Sequence, residues 1–355
     1  MSSTEKLGRS TTRNPSATGD TGFVGLVRRH PLTTFLVWFF TVGQAFAFAP
    51  VVARANGVEL LVQPFILAST LIGLLLPAVV ITRIVDGPER VRELWRRSFA
   101  VWVSLRWYAL ALIAVPAVAT ALTVLLFGMP VGVSTSSILS ALVFGLLLQT
   151  VIAFVPNNWA EEVAWMGFFQ ARLQERSGSA MRAAVLTAPL FALQHVALVV
   201  GNSGLLAVLL MLMLIVLAIP FRAVTAWTYN RTGSLFIVGF IHAAGNAAAA
   251  GSGFGESFLK RLYPGEDFVG ITHLLAFALI GIVVIAATRA RLGSSQPPSA
   301  GRPADRNPLI QVTSRRRRPP APGLDRHRRA GHRRGQPGGP GQRSMSPRMN
   351  ASTAS

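Results

Sequence analysis

The chain of 355 residues contains no cysteine. Disulfides, Cys-ligated zinc and thiol nucleophiles are therefore excluded. Charge is scarce: 14% of residues carry it, against about 25% in a soluble domain. Acidic side chains are scarcer still, 14 against 34 basic ones. No internal repeat is evident, which argues mildly against transporter folds assembled from repeated halves. What is abundant is apolar, with 51% hydrophobic residues and a mean hydropathy of +0.46. Apolar runs recur from Pro31 to Ala287, and many reach the ~20 residues that cross a bilayer as a helix. A soluble fold would need those runs shorter and amphipathic. The sequence predicts an all-α fold, a polytopic transmembrane helical bundle.

About eight membrane helices are expected, near 32–53, 59–82, 100–127, 137–156, 183–200, 204–220, 234–250 and 268–288. The first run lacks a small-residue cleavage site and reads as a membrane helix, not as a signal peptide. Residues 157–176 are helical in pattern but mixed in polarity, and Gly178 with its flanking serines ends them. The expected organisation is a disordered cytoplasmic tail over 1–30, a transmembrane domain over 31–288 with its motifs in 137–250, and a disordered Arg/Pro/Gly-rich tail over 289–355.

Lys and Arg set the expected orientation. Lys6, Arg9, Arg13, Arg28 and Arg29 precede the first run, and Arg83, Arg90, Arg92, Arg96 and Arg97 fill the second loop. Arg172, Arg176 and Arg182 fill the fourth, Arg222 and Arg231 the sixth. Eight spans with both termini in the cytoplasm satisfy this pattern. Ala, Arg and Gly usage is that of a GC-rich bacterial gene, so a bacterial plasma membrane is expected. The net charge of +20 is mainly a property of the C-terminal tail, where 15 Arg face 2 Asp from Arg289 onward. No aromatic interleaves those arginines, so no nucleic-acid partner is expected. A solvated tail beside anionic headgroups accounts for them. Nothing in the sequence speaks to oligomeric state.

Against this background two adjacent acids stand out. Glu161 and Glu162 lie in VIAFVPNNWAEEVAWMGFF, with no Lys or Arg nearer than Arg172. A carboxylate at membrane depth costs several kcal/mol, about 3 on the gentlest scale, so its default reading is functional. His195 and His242 also lie deep in apolar segments, and Asn246 follows His242 by four residues. That spacing stacks the two on one helix face. Gly239, Ala243, Gly245 and Ala249 are small, which lets another helix approach that face. Each residue alone has a bland explanation: a hydrogen-bonded packing His, an interhelical Asn, or an acidic first turn capped by Asn157 or Asn158. Two acids, two histidines and an Asn together are costly accidents.

Chemically the set suits water activation: a carboxylate as general base, an imidazole to position the water, and a His with an Asn amide to meet an oxyanion. The same atoms could hold zinc, so no cofactor is assigned and a divalent metal stays open. A proton-coupled or metal transporter uses the same residue types and is the least favoured class.

Order and spacing resemble the CPBP (CAAX protease and bacteriocin-processing, or Abi) intramembrane endopeptidases. The first family motif, Glu-Glu-x-x-x-Arg, stands here as Glu161-Glu162-Val-Ala-Trp-Met166. Phe191-Ala-Leu-Gln-His195 and His242-Ala-Ala-Gly-Asn246 are intact, and Arg-Thr-Gly-Ser precedes the last helix. The similarity covers roughly 137–250. It implies a membrane peptidase acting on a peptide or protein substrate. Glu161 would activate water with help from His195, His242 and Asn246 would stabilise the oxyanion, and Glu162 would be a supporting acid. Met166 replaces the family arginine, so Glu162 loses its same-face counter-charge and is expected either to be protonated or to pair elsewhere, through Asn157 or Asn158. Reduced or lost activity follows as an alternative, with the chain acting as a membrane binding or immunity protein on the same scaffold.

Overall fold

A computed structural model of the chain describes residues 22–200 and 204–293. The tails expected before residue 22 and after residue 293, and the loop at 201–203, lie outside the described residues. Among the described residues there is no strand. The helices include α1 Phe23–Arg29, α2 Pro31–Ala55, α3 Val62–Ser98, α4 Leu105–Phe127, α5 Thr135–Ser177, α6 Ala180–Leu193, α7 Gly204–Thr232, α8 Leu235–Ala250 and α9 Asp267–Ala287, with single short turns at Val196–Val199 and Phe258–Leu262.

Six of these, α2, α3, α4, α5, α7 and α9, are long and apolar enough to cross a membrane. α6 and α8 sit where the fifth and seventh spans are expected but are shorter. The chain is a multi-pass membrane protein. Its outer faces agree with that: Leu205, Val208, Leu212 and Val216 of α7 and Ile113 and Leu125 of α4 are all more than half exposed. In water such a surface would mark an interaction site; in lipid it is ordinary.

Several boundaries differ from the sequence reading, each for a local reason. α1 falls within the stretch expected as tail, with Val27 buried against the bundle. α3 continues past residue 82, turning at Gly87, whose φ of 84° suits glycine, just before Pro88. Arg83, Arg90, Arg92, Arg96 and Arg97 therefore lie on a helix and not in a loop. Beyond the turn Glu93 pairs with both Arg96 and Arg97, as i,i+3 and i,i+4 spacing allows.

α5 joins two segments that the sequence reading separates. Its axis breaks at Val155, which is extended (φ −103°, ψ 119°) because Pro156 disfavours helical backbone before it. Gly178, left-handed at φ 66°, ends the helix. Ser179 and Ser234 cap the starts of α6 and α8 through their hydroxyls.

α7 changes character along its length. Its first half faces outward and is apolar. From Ala218 onward it turns into the bundle, with Phe221, Arg222, Ala223, Val224 and Thr225 buried. Arg222 is thus not in the sixth loop; it is wholly enclosed. α8 is the innermost helix, with Leu235, Ile237, Val238, Ile241, Ala243 and Ala244 all at 0% exposure. Its small residues work as expected: a Cβ on Gly239 would meet Trp159 Cα at 3.0 Å and Asn158 O at 3.3 Å. That close approach sets α8 against the stretch just after the break in α5.

Candidate active site

The break at Val155 presents Asn157, Asn158, Glu161 and Glu162 as one short polar run against α8. Both glutamates are buried, at 4% and 0% exposure. Asn157 Nδ2 donates to Glu161 Oε1 at 3.0 Å, and Thr70 of α3 donates to Asn157 Oδ1 at 2.8 Å. One oxygen of Glu161 is thereby fixed. The other, Oε2, is buried without a hydrogen-bond partner and lies 3.9 Å from His242 Nδ1.

Glu162 makes the opposite use of its position. Both of its oxygens meet Nη1 of Arg222, at 3.0 and 2.9 Å, with both side chains fully enclosed. Arg222 Nε donates to Gln170 Oε1 at 2.8 Å, and Gln170 Nε2 donates back to the Arg222 carbonyl at 3.2 Å. The pairing expected through Asn157 or Asn158 is corrected: Asn157 serves Glu161, Asn158 serves His242, and the partner of Glu162 comes from α7. Sequence reading misses Arg222 because hydropathy falls at that point of α7, which looks like the end of a span.

Glu162 Oε1 is also 3.1 Å from His242 Nδ1. With both carboxylates on its Nδ1 side, the ring directs Nε2 toward Asn158, whose Nδ2 is 3.5 Å away. Asn246 Nδ2 donates to Asn158 Oδ1 at 3.2 Å. Two asparagine amides and an imidazole nitrogen therefore share one small region. Asn158 is another residue for which the sequence offers only a capping role.

Four of the five predicted residues, Glu161, Glu162, His242 and Asn246, are thus brought together. His195 follows the end of α6. Its ring stands edge-on to Phe191 at 5.4 Å, and the same Phe191 is 5.9 Å from His242. The His195 Nδ1 atom is buried without a hydrogen-bond partner. Beside it, Gln194 accepts from Trp165 Nε1 at 2.5 Å, and its carbonyl accepts from Gln44 Nε2 at 3.1 Å. Phe35, Phe39, Trp165, Phe168, Phe191, Phe221 and Phe277 form one apolar cluster around these polar atoms. In such surroundings every charge–dipole interaction is stronger than in water.

Among the described residues no three His, Asp or Glu side chains converge as a metal ion requires, and Glu162 is engaged by Arg222.

Residues 143–248 match the family model described as type II CAAX prenyl endopeptidase Rce1-like. This stretch is similar to Rce1-like domains. None of the curated proteins and none of the solved structures compared with the chain matches it. The matched stretch contains all five predicted site residues and also Asn157, Asn158, Gln170 and Arg222. Thr70 and Gln44, which brace it, come from α3 and α2 outside its bounds. The Rce1-like match supports a CAAX-type membrane peptidase.

Proposed function

We propose that the protein is an intramembrane endopeptidase in which Glu161 activates the water that hydrolyses a peptide bond. The observation that carries this reading is the unequal treatment of two adjacent buried acids. Glu162 is saturated by Arg222 and His242, whereas Oε2 of Glu161 is buried without a hydrogen bond, 3.9 Å from His242 Nδ1. A general base needs such a free oxygen within reach of its water.

In this mechanism Glu161 Oε2 accepts a proton as the water oxygen bonds to the scissile carbonyl carbon. His195, with its own unpartnered Nδ1, holds that water in line. The carbonyl π electrons move onto oxygen, and the oxyanion is met by Asn246 Nδ2 beside the His242 ring. Such preorganised donors are worth about 2.7–4 kcal/mol each in comparable sites. The tetrahedral intermediate collapses, the C–N bond breaks, and Glu161 returns its proton to the leaving amine. A free carboxyl group and a free amine result, and the base is regenerated.

The substrate class that the Rce1-like name brings is a prenylated CAAX peptide, and the bacterial composition of the gene favours other membrane peptides. Protein in liposomes is to be tested against a panel holding both, alongside membrane-peptide profiling of wild-type and Glu161→Gln cells. Cleavage is expected with the wild type and is expected to fall by about 100-fold or more in Glu161→Gln, His195→Ala and His242→Ala. Undiminished activity in Glu161→Gln would sink the mechanism. A phenotype sustained by Glu161→Gln would favour a non-catalytic binding role instead.

A further inference from the structure

We infer that Arg222 is a positioning residue for the proposed peptidase: it sets the tautomer and orientation of His242 through Glu162, taking from another helix the role that Met166 cannot fill. The inference rests on the reading of His242 as part of the catalytic apparatus.

Geometry supplies each link. Arg222 reaches Glu162 from α7, some sixty residues along the chain, and the Gln170 side chain closes a ring on its Nε and carbonyl. The guanidinium is therefore locked in one rotamer. It also lies 5.2 Å from the centre of the Phe191 ring and 5.7 Å from that of Phe221. Those same rings flank His242, at 5.9 and 4.9 Å. Met166 is enclosed in an apolar cluster that includes Ala223, Ala226 and Leu235. Met166 follows Glu162 by four residues on the same helix, a spacing at which a guanidinium and a carboxylate can pair.

Chemistry gives the arrangement its consequence. Arginine stays charged, so the carboxylate it holds is an acceptor only. The hydrogen bond at 3.1 Å between Glu162 Oε1 and His242 Nδ1 must then be donated by Nδ1–H. The proton is fixed on that nitrogen and the ring plane with it, and Nε2 is left facing Asn158 and Asn246. Without the guanidinium, Glu162 in its enclosed site can take a proton and donate it, and His242 loses its single tautomer. A pair kept for packing alone could be replaced at both positions by apolar side chains at little cost. Instead one nitrogen of Arg222, Nη2, stays buried without a hydrogen-bond partner.

The test uses the full-length chain in lipid nanodiscs, as R222M, R222K and the relocated-charge variant R222M/M166R. Two readouts are taken: the nitrogen chemical shifts of ¹⁵N-labelled His242, assigned by their loss in H242A, and kcat and KM for whichever peptide the wild type cleaves. R222M is expected to lose the Nδ1–H signature of His242 and to lower kcat by about 100-fold or more, as a mis-set tautomer does elsewhere, with KM within about threefold. R222M/M166R is expected to regain both the signature and at least a tenth of the turnover. R222M with an unaltered signature, or R222M/M166R folded but without it, overturns the inference. If R222M does not fold, R222K decides: the retained charge keeps the Nδ1–H signature if the inference holds, and its loss overturns it. Wild-type cleavage by E161Q would count against the peptidase reading alone, since the His242 spectrum is read without substrate.

Discussion

At the scale of single residues, the site sorts two chemically identical side chains by their hydrogen bonds. Glu161 receives one amide from Asn157 and Glu162 receives a guanidinium and an imidazole. Asn158 is the least obvious member, since it touches His242 Nε2 and Asn246 together. If the two asparagines meet the oxyanion side by side, Asn158→Ala and Asn246→Ala should each lower kcat by about 100-fold. Because they share a hydrogen bond, the double variant should fall by less than the product of the two. Equal and fully multiplicative losses in a double-mutant cycle would show that they act separately. Thr70→Val tests the brace behind Glu161. It leaves Asn157 Oδ1 without its donor and is expected to destabilise the protein by about 1–3 kcal/mol, read as a lowered midpoint of thermal unfolding in detergent, with a parallel fall in kcat.

At the scale of elements, the site depends on two interruptions and one close approach. Pro156 forces Val155 out of helical backbone, which turns the following polar run toward α8. Gly239 lets that run lie against α8 almost at backbone contact. Gly239→Leu would drive a branched side chain into Trp159 Cα and is expected to cost about 1–3 kcal/mol, as overpacking does. The cleavage rate should fall further than the fraction unfolded accounts for, since the same displacement moves Asn158 from His242. An active Gly239→Leu protein with unchanged thermal stability would contradict the close contact. α7 shows why element boundaries were hard to read. Its hydropathy drops at Arg222 because the helix passes from lipid into the protein interior, where polar side chains have partners. It does not drop because the helix ends.

At the scale of the whole molecule, the arginine pattern proposes an orientation that the described helices leave to experiment. Six long helices and two shorter apolar ones keep the chain ends on one side if all eight cross. The absence of cysteine makes the check direct. Single cysteines at Ser3, Ser177 and Ser352 are expected to be protected from a membrane-impermeant maleimide added outside intact cells, and one at Ser134 is expected to react. Labelling of the Ser3 and Ser352 positions on opposite faces would require an odd number of crossings.

The amino-acid sequence by itself determined the membrane class, the helical fold and the three motifs, because long apolar runs and the high cost of polar atoms in lipid are local properties. It placed Glu161, Glu162, His242 and Asn246 on the helices that meet. The partners of those residues were decided only by the tertiary structure. Arg222 reaches Glu162 from α7, Thr70 braces Asn157 from α3, and Asn158 joins His242 to Asn246 across the α5–α8 contact. None of these pairings has a fixed spacing in sequence, since each is made by side chains on separate helices whose registry is set by packing. Nor does local composition separate a loop arginine from a buried one. That difference lies in what surrounds it, and at Arg222 the surroundings are Glu162, Gln170 and two phenylalanine rings.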